Sequence, residues 1–391
     1  MKVWLVLNQT ELCREVILAQ SHVKRASCDP ILCMAIAVLL LIGIVMVYSS
    51  SAVYAGEEYN DPYYFLKRQT AWLMLGFGLL LLAANFDYRK LDSLTYPTMA
   101  ITFLLLIAAM FPALSREIGG ARRWVTLGGW SFQPSELAKF ALVLFVAKSL
   151  VKRKNKLTDF IYGYLPKLIV LGFFFLPILF QPDFGTAMII AVVAFLMFFI
   201  GGVRLKFLWY SFLTMIPFVL VAVMGTEYRK RRILSFLNPW EDPSDGGFQV
   251  IQSFFAFGRG GLWGLGLGGG KQKLFYLPEA HTDFIFAVIG EELGFVGTTA
   301  IVLLFGVVIW RGLLAAEQIK DSFGSNLAVG LTLLVGFQAF TNMGVAVGLL
   351  PTKGLTLPFI SLGGSSLLVS MLCVGVLLNI TEHAAHFSKR R

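Results

Sequence analysis

The chain has 391 residues, of which 57% are hydrophobic and only 14% charged, with a mean hydropathy of +0.73. A soluble domain of this size needs far more charge to cover its surface, so the composition reads as an all-α, polytopic integral membrane protein. The formal net charge of +10 does not call for a nucleic-acid partner, because Lys and Arg of membrane proteins collect in cytoplasmic loops.

Residues 1–29 read as a cytoplasmic tail. The apolar stretch Val3 to Leu7 is too short for a signal-peptide core, and Asn8, Glu11, Arg14 and Glu15 follow it. From residue 30 to 391 the chain reads as a single membrane domain. A span takes about 20 mostly apolar residues, and about ten such runs follow, at roughly 31–54, 70–86, 95–113, 134–151, 163–181, 184–202, 206–225, 283–310, 326–350 and 358–380. Lys and Arg of the short connections (Arg89-Lys90, Lys152-Arg153-Lys154, Arg204, Arg311) fall on the side of the N-terminus. That places both termini in the cytoplasm. One large extracytoplasmic loop, 226–282, then separates spans seven and eight. It opens with a basic run, Arg229-Lys230-Arg231-Arg232, and passes through an amphipathic stretch with Gln249, Gln252, Ser253 and Arg259 on its polar side. A glycine-rich segment, Gly258 to Gly270, follows. That segment lacks the lysine and hydroxyl of a P-loop, and reads as a hinge or a close-packed turn.

Spans four, six, eight and ten begin with proline and polar residues: Gln133-Pro134-Ser135-Glu136, Gln181-Pro182-Asp183, Pro278-Glu279-Ala280-His281-Thr282-Asp283, and Leu357-Pro358 running into Ser361 to Ser366. Proline suits a first helical turn, and the free amide hydrogens there attract anions. Alternating spans put all four starts on one side, where they predict a shared polar site. Glu136 and Lys139, at i and i+3, are expected to line its cavity, because ionisable groups at that depth are costly in lipid. Asp183 reads as a helix cap or a site residue. Asp283, His281 and Glu279 read as caps or general bases. Glu291 and Glu292 read as structural hydrogen-bonding groups, beside a small-residue stripe of Gly290, Gly294 and Gly297. His383 and His386 are expected in a solvated tail.

Five stretches together resemble the SEDS family of bacterial cell-wall proteins, which includes FtsW, RodA and SpoVE: Gly120-Ala121-Arg122-Arg123-Trp124, Phe132 to Lys139, Gln181 to Thr186, Leu277 to Phe286, and Leu349 to Ser366. The similarity is strongest to the FtsW branch, through Lys273 to Ala280 and Gly363-Gly364-Ser365-Ser366. The resemblance implies a peptidoglycan glycosyltransferase that polymerises lipid II at the division septum of the inner membrane. A class B penicillin-binding protein, a transpeptidase, is the implied partner among the division proteins. It makes Asp283 the catalytic residue, a general base on the acceptor sugar hydroxyl. The expected substrate-binding set is Arg123, Glu136, Lys139, Asp183, Arg231, Arg232, His281, Lys353, Ser365 and Ser366. A divalent cation, Mg²⁺ or Mn²⁺, is a further candidate for holding the pyrophosphate of the polyprenyl-linked donor; no organic cofactor is implied. A lipid II flippase and a non-enzymatic division scaffold are the alternatives.

Overall fold

The computed structural model describes residues 29–118, 121–127, 130–152, 158–225, 227–243 and 247–388. Residues 1–28 of the expected tail over 1–29, and the basic runs at 153–157 and 389–391, lie outside the described residues. The ten apolar runs correspond to ten helices: α1 (Pro30–Tyr59), α2 (Tyr64–Asn85), α3 (Lys90–Ala108), α4 (Pro134–Lys152), α5 (Leu165–Phe180), α6 (Phe184–Ile200), α7 (Leu205–Met224), α10 (Ile285–Gln318), α11 (Ser322–Ala346) and α12 (Gly364–Ser388). The long loop carries two more, α8 (Glu227–Leu237) and α9 (Phe248–Gly260). Length and apolarity alone mark seven of the segments as able to cross a membrane; α6 and α7 are apolar but contain shorter apolar windows. Helix α4 carries Glu136, Lys139 and Lys148 inside its 19 residues, so its depth in the bundle comes from packing against protein.

The helices begin where their sequences say. Asp29 accepts the amides of Ile31 and Leu32, with Pro30 at the first helical position of α1, and Arg311 closes over it at 2.7 Å. Asp183 accepts Thr186 N–H and separates α5 from α6, a boundary only Pro182 and Asp183 mark in the sequence. Asp321 caps α11 through Phe323 and Gly324. Such caps are worth about 1 kcal/mol each. Helix α12 runs along α2 and α10 pairs with α11. Within the bundle, α4, α11 and α12 bury most of their residues, whereas α7 presents Trp209, Phe212, Leu213, Phe218 and Val221 outward.

Four details depart from the sequence reading. Residues 115–132, expected as plain loop, form a three-stranded antiparallel sheet: β1 (Ser115–Ile118), β2 (Ala121–Leu127) and β3 (Trp130–Phe132). Ser115 pairs with Val125, and Val125 in turn with Phe132, so the sheet lays Arg122 and Arg123 just before α4. Second, Gly294 is no member of a helical stripe. Its φ of 65° and ψ of −163° break α10, and the glycine-rich segment fills the break. Leu265 and Gly266 donate to the carbonyls of Glu291 and Glu292, while Phe295 and Val296 donate to those of Gly261 and Leu262. The helix hydrogen bonds lost at the break are thus replaced, as backbone groups away from water require. A Cβ on Gly264 would fall 2.1 Å from the carbonyl oxygen of Glu292, so this segment is a close-packed turn. Third, Ser253 of α9 is buried and donates to Ala346 O instead of facing water. Fourth, α12 carries His383 into the protein, against Tyr88 and with Nδ1 on the Asn379 carbonyl.

Candidate active site

The proline-headed starts meet at one end of the bundle. Ser135, at the head of α4, donates to Asp183 Oδ2 at the head of α6 at 2.9 Å, and Gln133 Nε2 donates to the same oxygen at 3.1 Å. The Gln133 amide donates to Ser365 Oγ, in the first turn of α12, at 2.9 Å. The loop before α10 is tied to the loop before α12: Leu362 N–H donates to the His281 carbonyl, and Ser361 Oγ to the Thr282 carbonyl. The start of α10 has no capping side chain, which favours an anion there. At α6 the Asp183 carboxylate already fills that role.

Asp283 lies at the centre of this convergence, part-buried just ahead of α10. It does not cap the helix; the cap position is Phe284, and it makes no side-chain hydrogen bond. Gly354 passes so close that a Cβ there would sit 3.2 Å from Asp283 Oδ2. Burial raises the Asp283 carboxyl to about 7, with Glu279 pushing the same way and Arg232 and Arg123 pulling it down. A carboxyl poised near neutrality suits a general base. Lys353, one residue before Gly354, lies with its Nζ 4.8 Å from the centre of the Phe184 ring. Burial lowers its ammonium to about 8 against the opposing pull of Asp183.

The expected set is drawn together unevenly. Arg123 reaches from β2 to the carbonyls of Gln181 and Pro182, fixing the turn ahead of α6. Arg232 donates to Thr352 O and so ties α8 to the loop that carries Lys353. Arg231, beside it, is exposed. His281 is wedged between Tyr54 and Phe65, with ring centroids at 5.9 and 4.7 Å, and burial lowers its pKa. That packing makes it a wedge between the α10 approach and α1–α2. Glu136 and Lys139 depart most from expectation. They are 5% and 1% exposed, with a 2.8 Å ion pair between them, so they lie beneath the site instead of lining it. Glu291 and Glu292 are structural, as the sequence reading has it. The first accepts the amides of Lys271 and Gln272; the second accepts the Gly268 amide and the Ser49 hydroxyl and pairs with the Lys273 ammonium.

Two side chains that the motifs do not flag tie the site together from α11. Gln338 accepts from Lys139 at 2.5 Å and donates to Ser366 Oγ at 2.9 Å and Thr356 O at 3.1 Å. Asn342, one turn on, donates to the carbonyls of Asp283 and Leu355 at 2.8 and 2.6 Å. Their only sequence signal is polarity at i, i+4 in an apolar helix.

The oxygen donors do not make a built cation site. Asp183 is committed to Ser135, Gln133 and Thr186, and Glu136 to Lys139. Among the described residues no three His, Cys, Asp or Glu side chains gather as a metal would need.

The family model described as "Cell cycle protein", covering FtsW, RodA and SpoVE, matches residues 30–386. The chain belongs to the FtsW/RodA/SpoVE family. It is 48% identical over 351 residues to the probable peptidoglycan glycosyltransferase FtsW of Geobacter sulfurreducens, covering 90% of this chain and 94% of that one. To the stage V sporulation protein E of Bacillus subtilis it is 42% identical over 364 residues, covering 93% and 99%. Among solved structures, a chain of a peptidoglycan synthase complex that coordinates polymerization and crosslinking matches with a TM-score of 0.74 at 31% identity, covering 92% of this chain and 98% of that one. The rod shape determining protein RodA of Thermus thermophilus matches with a TM-score of 0.68 at 27% identity, covering 91% and 97%. The family thus accounts for the mostly helical, polytopic membrane architecture.

Proposed function

We propose that this member of the FtsW/RodA/SpoVE family is a peptidoglycan glycosyltransferase that polymerises lipid II, with Asp283 as general base. The observation that carries the reading is an uncapped, part-buried carboxylate held near neutral pKa where the helix starts of α4, α6, α10 and α12 converge. Asp283 takes the proton of the acceptor sugar hydroxyl. The hydroxyl oxygen attacks the anomeric carbon of the donor glycan through an oxocarbenium-like transition state. The bond from that carbon to the polyprenyl pyrophosphate breaks, and the leaving group carries its electron pair away. Lys353, Arg232 and the helix N-termini oppose the negative charge that develops there. Arg123 is engaged with the 181–182 carbonyls and acts by shaping the α6 start. The polyprenyl tail lies against the outward apolar surface of the bundle.

The interior beneath the site favours polymerisation over flipping. Below Lys139 the core between α4, α6 and α11 closes around Leu142, Val146, Val193, Met197 and Leu334, leaving a cavity of about 10 Å³. That is about one water, far less than a sugar headgroup needs. The relatives' names and the synthase complex among the structural matches support a polymerase working with a crosslinking partner; the resemblance to the FtsW branch makes that partner a transpeptidase of the class B penicillin-binding type and the place of action the division septum. The basic short connections on the side of the N-terminus support an inner-membrane location with the Asp283 end outside. The test uses the purified full-length protein, with and without that partner, and lipid II in detergent, where no sealed compartment exists. Glycan strands are expected. Binding of lipid II without any polymer would refute the assignment. Parallel reactions with EDTA, Mg²⁺ and Mn²⁺ read the cation requirement.

A further inference from the structure

Helix α11 places Gln338 and Asn342 one turn apart, so their side chains leave the same face. Both are nearly inaccessible, at 3% and 1% exposure. A carboxamide inside a membrane bundle is costly to bury unless it is hydrogen-bonded, and Asn342 is held there by its donors alone, its Oδ1 being buried with no partner among the described residues. Asn342 spends both N–H groups on carbonyls, one from each loop of the site: Asp283 O and Leu355 O. Gln338 bridges the Glu136–Lys139 pair of α4 to Ser366 of α12 and to Thr356. Thr356 and Leu355 belong to the loop that carries Lys353 and Gly354. The two amides therefore fasten that loop between Asp283 on one side and the buried ion pair on the other. Among the described hydrogen bonds neither amide reaches the Asp283 carboxylate or the Lys353 ammonium itself.

We infer that Gln338 and Asn342 are positioning residues of the transfer reaction: Asn342 sets the register of Asp283 against the Lys353 loop, and Gln338 couples that loop to the Glu136–Lys139 pair and the head of α12. The inference rests on the glycosyltransferase reading. Asp183 is held by Ser135, Gln133 and Thr186, and Glu136 by Lys139, so these groups hold the heads of α4 and α6. The loops that carry the reacting groups are anchored on α11, through Asn342 and Gln338. A shift of about 1 Å in such a geometry costs about 100-fold in rate.

The experiment measures lipid II polymerisation by the full-length protein in detergent across pH 5–10 for wild type, Asn342→Ala and Gln338→Met. Asn342→Ala keeps the helix and removes both donors. Its turnover is expected to fall about 10- to 100-fold. Because the freed Asp283 loop admits water, the acidic limb is expected to move down by about one pH unit. Gln338→Met keeps the shape and leaves Lys139 paired with Glu136. Here the alkaline limb, set by Lys353, is expected to move up, with a higher KM for lipid II. The groups facing Asp283 are Glu279, Arg232 and Arg123, and the one facing Lys353 is Asp183; all are intact in both variants. Asn342→Ser, which retains a single donor, is expected to fall between Ala and wild type and serves if the alanine variant does not accumulate. A lower melting temperature with both limbs unmoved would make the amides merely structural and overturn the inference. Unchanged turnover in either variant would do the same. Failure of the wild type to polymerise would instead overturn the reaction on which the inference stands, and the two failures are read from different samples.

Discussion

Asp283→Asn separates chemistry from folding in a single substitution. Asparagine preserves the shape but accepts no proton at neutral pH, so polymerisation is expected to drop by about 10²- to 10⁴-fold. Stability moves the other way. Asp283 has a carboxyl raised from 3.8 to about 7 in the folded protein. A carboxyl whose pKa is raised on folding has no effect below its unfolded pKa, works increasingly against the folded state as pH rises from the unfolded value to the folded one, and opposes it by a constant amount above that. At pH 5 the folded group is protonated while the unfolded one is mostly ionised, an effect of about 1.5 kcal/mol against folding; at pH 8 it is at most about 4 kcal/mol, from about 1.4 kcal/mol per pKa unit. The asparagine variant escapes this term. Its melting temperature in detergent is therefore expected to exceed wild type by a margin that widens from pH 5 to pH 8, with the widening worth about 2.5 kcal/mol. Thermal unfolding followed at both pH values, beside strand synthesis from lipid II, reads both effects. Equal activity, or a stability difference that does not grow with pH, would refute the placement of Asp283 as a buried base.

The rate of strand synthesis is expected to be bell-shaped in pH. It rises as Asp283 ionises through about 7 and falls as Lys353 loses its proton through about 8; Lys353→Met should raise KM for lipid II and erase the alkaline limb, and Lys353→Arg should move it out of range. Glu136→Gln leaves Lys139 charged and without its carboxylate partner in the interior, and is expected to cost about 3–5 kcal/mol. Pairing it with Lys139→Met should return most of that in a thermal melt, which a direct role in substrate binding would not permit for activity. Gly294→Ala puts a Cβ 2.4 Å from Gly264 N at a φ of 65°, so a large loss of folded protein is expected by size-exclusion chromatography. A folded, fully active variant there would refute the role of the glycine-rich turn in closing the α10 break.

Hydropathy and proline settle much of this protein before any coordinate is known. Ten apolar runs fix ten helices, because backbone groups in lipid must be satisfied within each run. Even-numbered runs then begin on one side, and that alone gathers Gln133, Asp183, Asp283 and Ser365 at one end. What each charged side chain faces is decided by neighbours about 50 to 230 residues away in sequence, as Ser135–Asp183, Lys139–Gln338 and Gln133–Ser365 show. Helical periodicity says which residues share a face and is silent on which helix lies against it. Hence Glu136 and Lys139, legible as a pair at i and i+3, could not be read as sealed beneath the site, and Gln338 and Asn342 carried no motif at all. The sheet at 115–132 and the break at Gly294 were likewise hidden. Short strands owe their stability to cross-strand pairs, and a helix break owes its own to the loop whose amides replace the missing bonds. Both are properties of contact, which only the folded chain supplies.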